Sequence, residues 1–178
     1  MTRPSMRRLM LLRHAKSDWP DGVDDHERPL ARRGRRASPL IGNHMAEAGL
    51  VPDLAIISTA RRARETWDLV RPALRGKFSR RDEPRIYEAP AGSILEVIHE
   101  TPMEVHTLLL VGHNPGFQDL ALELIGRGRQ HDLARMQEKY PTGSLAVIDF
   151  DIGTWRDVAP ATGELERFVT PRSLADAV

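Results

Sequence analysis

The chain has 178 residues and no cysteine, with 40% hydrophobic and 29% charged side chains and a formal net charge of +1. That composition suits one globular domain with a sizeable core, so residues 1–178 are expected to form a single domain. It excludes disulfides, thiolate catalysis and Cys-ligated zinc, and it supplies no global field for nucleic acid or an acidic membrane.

The opening MTRPSMRRLMLL holds one short apolar stretch, LMLL (9–12), before Arg13. That is too short for a signal-peptide core or for the ~20 residues of a membrane span, and a cytoplasmic location is expected. LMLL reads as a buried strand that ends on Arg13 and His14. The segment 30–50 is helical, and Pro39 either kinks a long helix or opens a shorter one capped by Ser38. LAII (54–57) is the second strand, followed by Ser58, Thr59, Arg61 and Arg62. ARRARETWDLVRPALR (60–75) sets Ala63, Trp67 and Val70 on one helical stripe and stops near Pro72.

RIY (85–87) is a weaker strand signal, with Glu88 after it. SILEVIH (93–99) predicts a short helix with Ser93 as its N-cap. TLLLV (107–111) is a strand leading to Gly112, His113 and Asn114. GFQDLALELIG (116–126) places Phe117, Leu120, Leu124 and Ile125 on one helix face and closes on Gly126. SLAVIDF (144–150), TWRDV and LERFV read as antiparallel edge strands. Strands alternating with helices imply βαβ units. The expected fold is therefore a three-layer α/β sandwich, with a mostly parallel central sheet, helices on both faces and an antiparallel C-terminal edge.

In such sheets ligands bind beyond the carboxyl ends of the strands. Here those ends deliver Arg13-His14, Arg62, Glu88 and His113 to one edge. Two histidines, two arginines and a carboxylate suit a phosphoryl group. Arginine forks match phosphate oxygens, a neutral imidazole can attack phosphorus, and a carboxylic acid can protonate the departing oxygen. Lys16 and Ser17 are further candidate donors. Asp18, Asp24 and Asp25 are rival proton donors, although loop-capping or solvated roles suit them better. His26, His44, His99, His106 and His131 lack metal-ligand spacing and read as structural or exposed. RRGRR (32–36) reads as a solvated helix face rather than a nucleic-acid patch.

LLRHAKSDW resembles the Arg-His signature of the histidine phosphatase superfamily. STARRARET (58–66) and VGHNPG (111–116) are similar to its second and third signatures. HERPLARRG (26–34), IYEA (86–89) and YPTGSLAVIDF (140–150) are similar to its compact SixA-like branch. The resemblance implies His14 as the phosphorylated nucleophile, with Arg13, Arg62 and His113 binding the phosphate. It implies Glu88 as the proton donor, a position that SixA-like members do not all use. It also implies a phosphoglycerate mutase-like fold, no metal and no organic cofactor. The short segment between Tyr87 and His113 leaves no room for a large cap, so the open site suits a phosphorylated protein, a phosphohistidine above all. A small-molecule phosphomonoesterase, a mutase and a non-catalytic phospho-ligand binding protein are the alternatives.

Overall fold

Alternate residues of the first strand feed two separate cores. Leu9 and Leu11 lie in one, Met10 and Leu12 in the other, and all four are fully buried. Side chains alternate across a strand, so a strand apolar at every position needs cover on both faces. The computed structural model describes residues 6–176; residues 1–5 of the opening stretch lie outside them.

β1 (Met6–Arg13) pairs in parallel with β4 (Thr107–Gly112), which pairs in parallel with β2 (Leu54–Ser58), itself parallel to β3 (Ser79–Glu83). On its other side β1 pairs antiparallel with β6 (Leu145–Asp151), and β6 antiparallel with β7 (Gly163–Val169). β5 (Ile125–Gly128) completes that edge parallel to β7. The sheet order is β3-β2-β4-β1-β6-β7-β5. The core on the Met10 side is completed by α1 (Arg32–Glu47) and α2 (Arg61–Val70), through Ile41, Met45, Ala63, Trp67 and Val70. The Leu9 side is covered by α3 (Ala91–His99), α4 (Gly116–Leu124) and α5 (Gln130–Glu138), through Ile94, Val97, Phe117, Leu120 and Met136. A final short helix, α6 (Pro171–Asp176), follows β7. Among the described residues no helix is long and apolar enough to cross a membrane.

Several element boundaries differ from the sequence expectation. The strand expected at RIY is SRRDE, whose first four residues are exposed, and Pro84–Ile86 form a 3-10 turn. An edge strand exposes its side chains and needs no apolar run, while Pro84 cannot extend the ladder. Glu88 therefore stands five residues beyond the strand rather than at its end. Pro39 lies inside a continuous α1, and Ser38, instead of capping, donates its hydroxyl to the Gly34 carbonyl at 2.8 Å. α3 starts two residues before Ser93, with Pro90 as its N-cap. Ile125 leaves the α4 stripe to open β5. TWRDV forms a 3-10 turn, where Trp155 is buried and donates its indole N–H to Val105 at 2.7 Å.

Candidate active site

The parallel pairing of β1 with β4 sets Arg13 beside Gly112, so the next residues of each strand, His14 and His113, emerge side by side. The backbone N–H of His14 donates to Gly112 at 2.9 Å, and the two imidazole centroids stand 5.1 Å apart. Three further contacts fix the turn. The Ala15 N–H donates to Thr66 Oγ1 at 3.0 Å, and that hydroxyl donates on to the Arg62 carbonyl at 2.7 Å, tying the turn to α2. From the other side, Gly143 donates its N–H to the carbonyls of Arg13 and His14 at 3.0 and 2.9 Å. Gly143 adopts φ +76°, a left-handed conformation in which a Cβ would be strained.

His14 is buried, and its Nδ1 lies 2.8 Å from the Ala15 carbonyl. A carbonyl only accepts, so Nδ1 carries the proton and Nε2 keeps its lone pair. Burial, followed by the nearby guanidinium groups of Arg62, Arg13 and Arg28, lowers its pKa to about 3. The ring is a neutral nucleophile with its free nitrogen defined.

His113 Nε2 lies 2.7 Å from Ser58 Oγ. That oxygen also accepts the Ala60 N–H at 3.3 Å, and among the described residues the hydroxyl proton has no acceptor other than His113 Nε2, so Ser58 donates to the ring. This leaves the proton of the neutral ring on Nδ1, which is buried and has no protein partner. Burial lowers the His113 pKa to about 2, with His14 and Arg62 adding to the effect. The Nε atoms of Arg13 and Arg62 are likewise buried without a partner. A buried donor left unpaired is costly, and here three belong to the side chains expected around a phosphate. Arg13 is held by one Nη, which donates to the Tyr140 carbonyl at 2.8 Å.

Arg62, almost fully buried, is anchored by Asp25. Its two Nη atoms donate to the Asp25 carbonyl at 2.7 Å and to Oδ2 at 3.1 Å, and Glu88 Oε1 stands 3.5 Å away. Asp25 also accepts from Arg28 at 3.1 Å and from the Tyr87 hydroxyl. Although desolvation opposes it, this set of donors holds the Asp25 carboxyl well below the usual carboxylate range. Glu88 moves the other way. Desolvation and the neighbouring Asp25 raise its pKa, although more than half of its side chain is exposed. Its backbone adopts φ +47°, a conformation that costs a non-glycine residue free energy and that clusters at functional sites.

The structure thus brings Arg13, His14, Arg62 and His113 together, with Glu88 at the mouth. Of the further candidates, Ser17 is engaged, since its hydroxyl accepts from Arg28 at 2.8 Å. Lys16 is exposed and faces a groove beside the site. Asp25, expected as a capping or solvated group, is a partner of Arg62 instead. Nothing in DGVDDHER separates it from Asp24, because its position comes from the loop closure between Ser17 and Leu30. His26, read as structural or exposed, sits at the mouth with its Nε2 2.9 Å from Thr59 Oγ1 and its ring edge-on to Tyr87. Tyr87 in turn packs edge-on to His113, with centroids 5.5 Å apart. Tyr140 had no signal except its place before the Pro-Thr-Gly turn.

Known proteins are similar to the chain in sequence and in fold. The family model of the histidine phosphatase superfamily, branch 1, matches residues 9–106. The uncharacterized protein Rv1276c of Mycobacterium tuberculosis is 39% identical over 163 residues, covering 90% of this chain and 100% of that protein. Two solved structures assigned by name as SixA phosphohistidine phosphatases are similar throughout. The one from Agrobacterium tumefaciens has a TM-score of 0.78 at 31% identity and covers 93% of this chain and 98% of its own. The one from Nakamurella multipartitia has a TM-score of 0.77 at 30% identity and covers 93% and 96%. By sequence and by fold, the chain belongs to the histidine phosphatase superfamily.

Proposed function

We propose that the protein is a phosphatase that works through a phosphohistidine on His14 and takes protein-bound phosphohistidine as its substrate. The observation that carries this reading is the set of three buried, unpartnered N–H donors around a neutral imidazole: Arg13 Nε, Arg62 Nε and His113 Nδ1. They suit the equatorial oxygens of a phosphoryl group in flight, whose spread charge is stabilised by fixed donors. His14 Nε2 donates its lone pair to phosphorus as the bond to the leaving group breaks. The leaving atom takes a proton from Glu88, whose raised pKa favours the protonated form. Water then attacks phospho-His14 and gives its proton to the Glu88 carboxylate, releasing inorganic phosphate and the free imidazole. The SixA resemblance and the short stretch between Tyr87 and His113, which adds only α3 and β4, support a protein substrate at an open mouth.

The test is to quench turnover and look for acid-labile phosphate on the protein, in wild type and in His14→Ala. Labelled wild type and an unlabelled, inactive variant are expected. Persistent turnover in His14→Ala would overturn the mechanism, and loss of turnover on adding chelator would overturn the metal-free arrangement. Comparing one phosphohistidine protein with a panel of phosphomonoesters, by kcat/KM, tests the substrate class.

A further inference from the structure

Arg13 serves two spaces. Besides the His14 pocket, it lines a groove of about 600 Å³. The walls come from separate stretches of chain: Lys16 after β1, Arg33 in α1, Lys139 and Thr142 before β6, and Arg172 in α6. Five cations therefore surround one concavity, and among the described residues no carboxylate lines it. The four outer cations are exposed, and among the described residues none of them forms an ion pair. Elsewhere the arginines are commonly matched, as Arg8 is by Asp149 and Arg85 by Glu83 and Glu100. With a net charge of only +1, this is a local field and not a property of the whole surface. Across the pocket the sign reverses, because the Asp25 carboxylate stands beside Arg62. The mouth is bipolar, with Arg13 at the boundary.

Resting on the phosphohistidine reading above, we infer that this groove docks acidic side chains flanking the phosphorylated residue of a protein substrate. A second phosphate on a small molecule suits it less well. Phosphate cradles are built from buried, hydrogen-bonded donors, as Arg62 is here. The outer cations of the groove stand on unanchored stems over separated segments, so several spaced carboxylates meet them better than one compact anion does. Rim charges of this kind raise the association rate and choose the orientation in which a partner docks. The acidic flank enters on the Arg13 side, away from the Asp25 carboxylate, which repels it.

The probes are two synthetic histidine peptides of equal length, one flanked by Asp and Glu and one by Ser and Gly, each phosphorylated with phosphoramidate. Wild type is expected to prefer the acidic peptide by roughly tenfold in kcat/KM at low salt, with the preference fading at high salt. The double variant Lys139→Glu/Arg172→Glu, remote from the reacting atoms, should abolish the preference and leave p-nitrophenyl phosphate turnover unchanged. Anisotropy of the fluorescein-labelled, unphosphorylated acidic peptide gives a readout that needs no turnover. Its Kd should rise roughly tenfold in the same variant, so docking stands or falls independently of the phosphohistidine reading. Equal use of both peptides by wild type, or an unchanged Kd in the variant, overturns the proposal. So does a variant that keeps the peptide preference but loses turnover of a bisphosphorylated small ester, which would make the groove a second phosphate subsite.

Discussion

Asp25 and Glu88 share Arg62, yet their environments pull them apart. Asp25 collects donors from Arg62, Arg28 and Tyr87 and stays ionised, and that charge helps to keep the proton on the more exposed Glu88. Two neighbouring carboxyls driven in opposite directions divide the work into an anchor and an acid. The Asp25→Asn variant keeps the shape but removes the charge. Glu88 should then ionise at lower pH, and the basic limb of kcat/KM for an alkyl phosphate should move to lower pH. A pH profile of the two proteins checks this, and a limb that stays in place would show that Glu88 does not supply the proton. Glu88→Gln is graded by leaving group. Imidazole leaves readily, so turnover of phosphohistidine should fall by less than tenfold, whereas alkyl esters should lose on the order of 10²-fold or more. Equal losses would count against the role.

At the scale of elements, the sequence spoke where burial is two-sided and fell silent where backbone alone does the pairing. LMLL, LAII and TLLLV are legible because β1, β2 and β4 are covered on both faces, and His14, Ser58 and His113 lie at or just beyond their carboxyl ends. β3 carries no such signal, since Ser79–Asp82 face solvent and the register with β2 rests on main-chain bonds. The Ile125 boundary failed for a related reason, because an apolar residue after a helical stripe is compatible with either period until β7 offers a partner. Asp25 and Tyr140 act through loop closures, which single-residue patterns do not encode. Glycine contacts give the sharpest test of how the elements meet. A Cβ on Gly34 would stand 2.1 Å from the Lys16 carbonyl oxygen, so α1 reaches the loop after His14 only because that side chain is absent. Gly34→Ala should destabilise by about 3 kcal/mol and lower activity with it. Gly92, exposed in α3 with nothing within 4 Å of its Cβ position, should gain roughly 0.5 kcal/mol as alanine. Urea unfolding of the two variants checks the contrast, and similar midpoints would refute the close approach.

For the whole molecule, keeping two imidazoles neutral inside the fold links catalysis to global stability. An unperturbed histidine titrates near 6.5, but His14 and His113 are held to about 3 and about 2, chiefly by burial. As pH falls below about 6.5 the unfolded chain therefore takes up protons that the folded chain refuses. The unfolded state binds the larger number, so stability declines with falling pH, at a limiting slope of about 1.4 kcal/mol per pH unit for each histidine. The decline should begin near pH 6.5 and continue down to about pH 3 for His14 and about pH 2 for His113. Asp25, held low, adds its own loss below about pH 4, on top of the histidines, while His44, also lowered by burial, contributes with the same sign as they do. Replacing both site histidines by uncharged polar residues, as in His14→Gln/His113→Asn, removes these two contributions and leaves that of His44. Denaturant midpoints measured across this range should then fall steeply for wild type and only shallowly for the double variant. Parallel curves would mean that the two rings accept protons in the folded protein as easily as in water, and the same result would remove the basis for a neutral nucleophile at position 14.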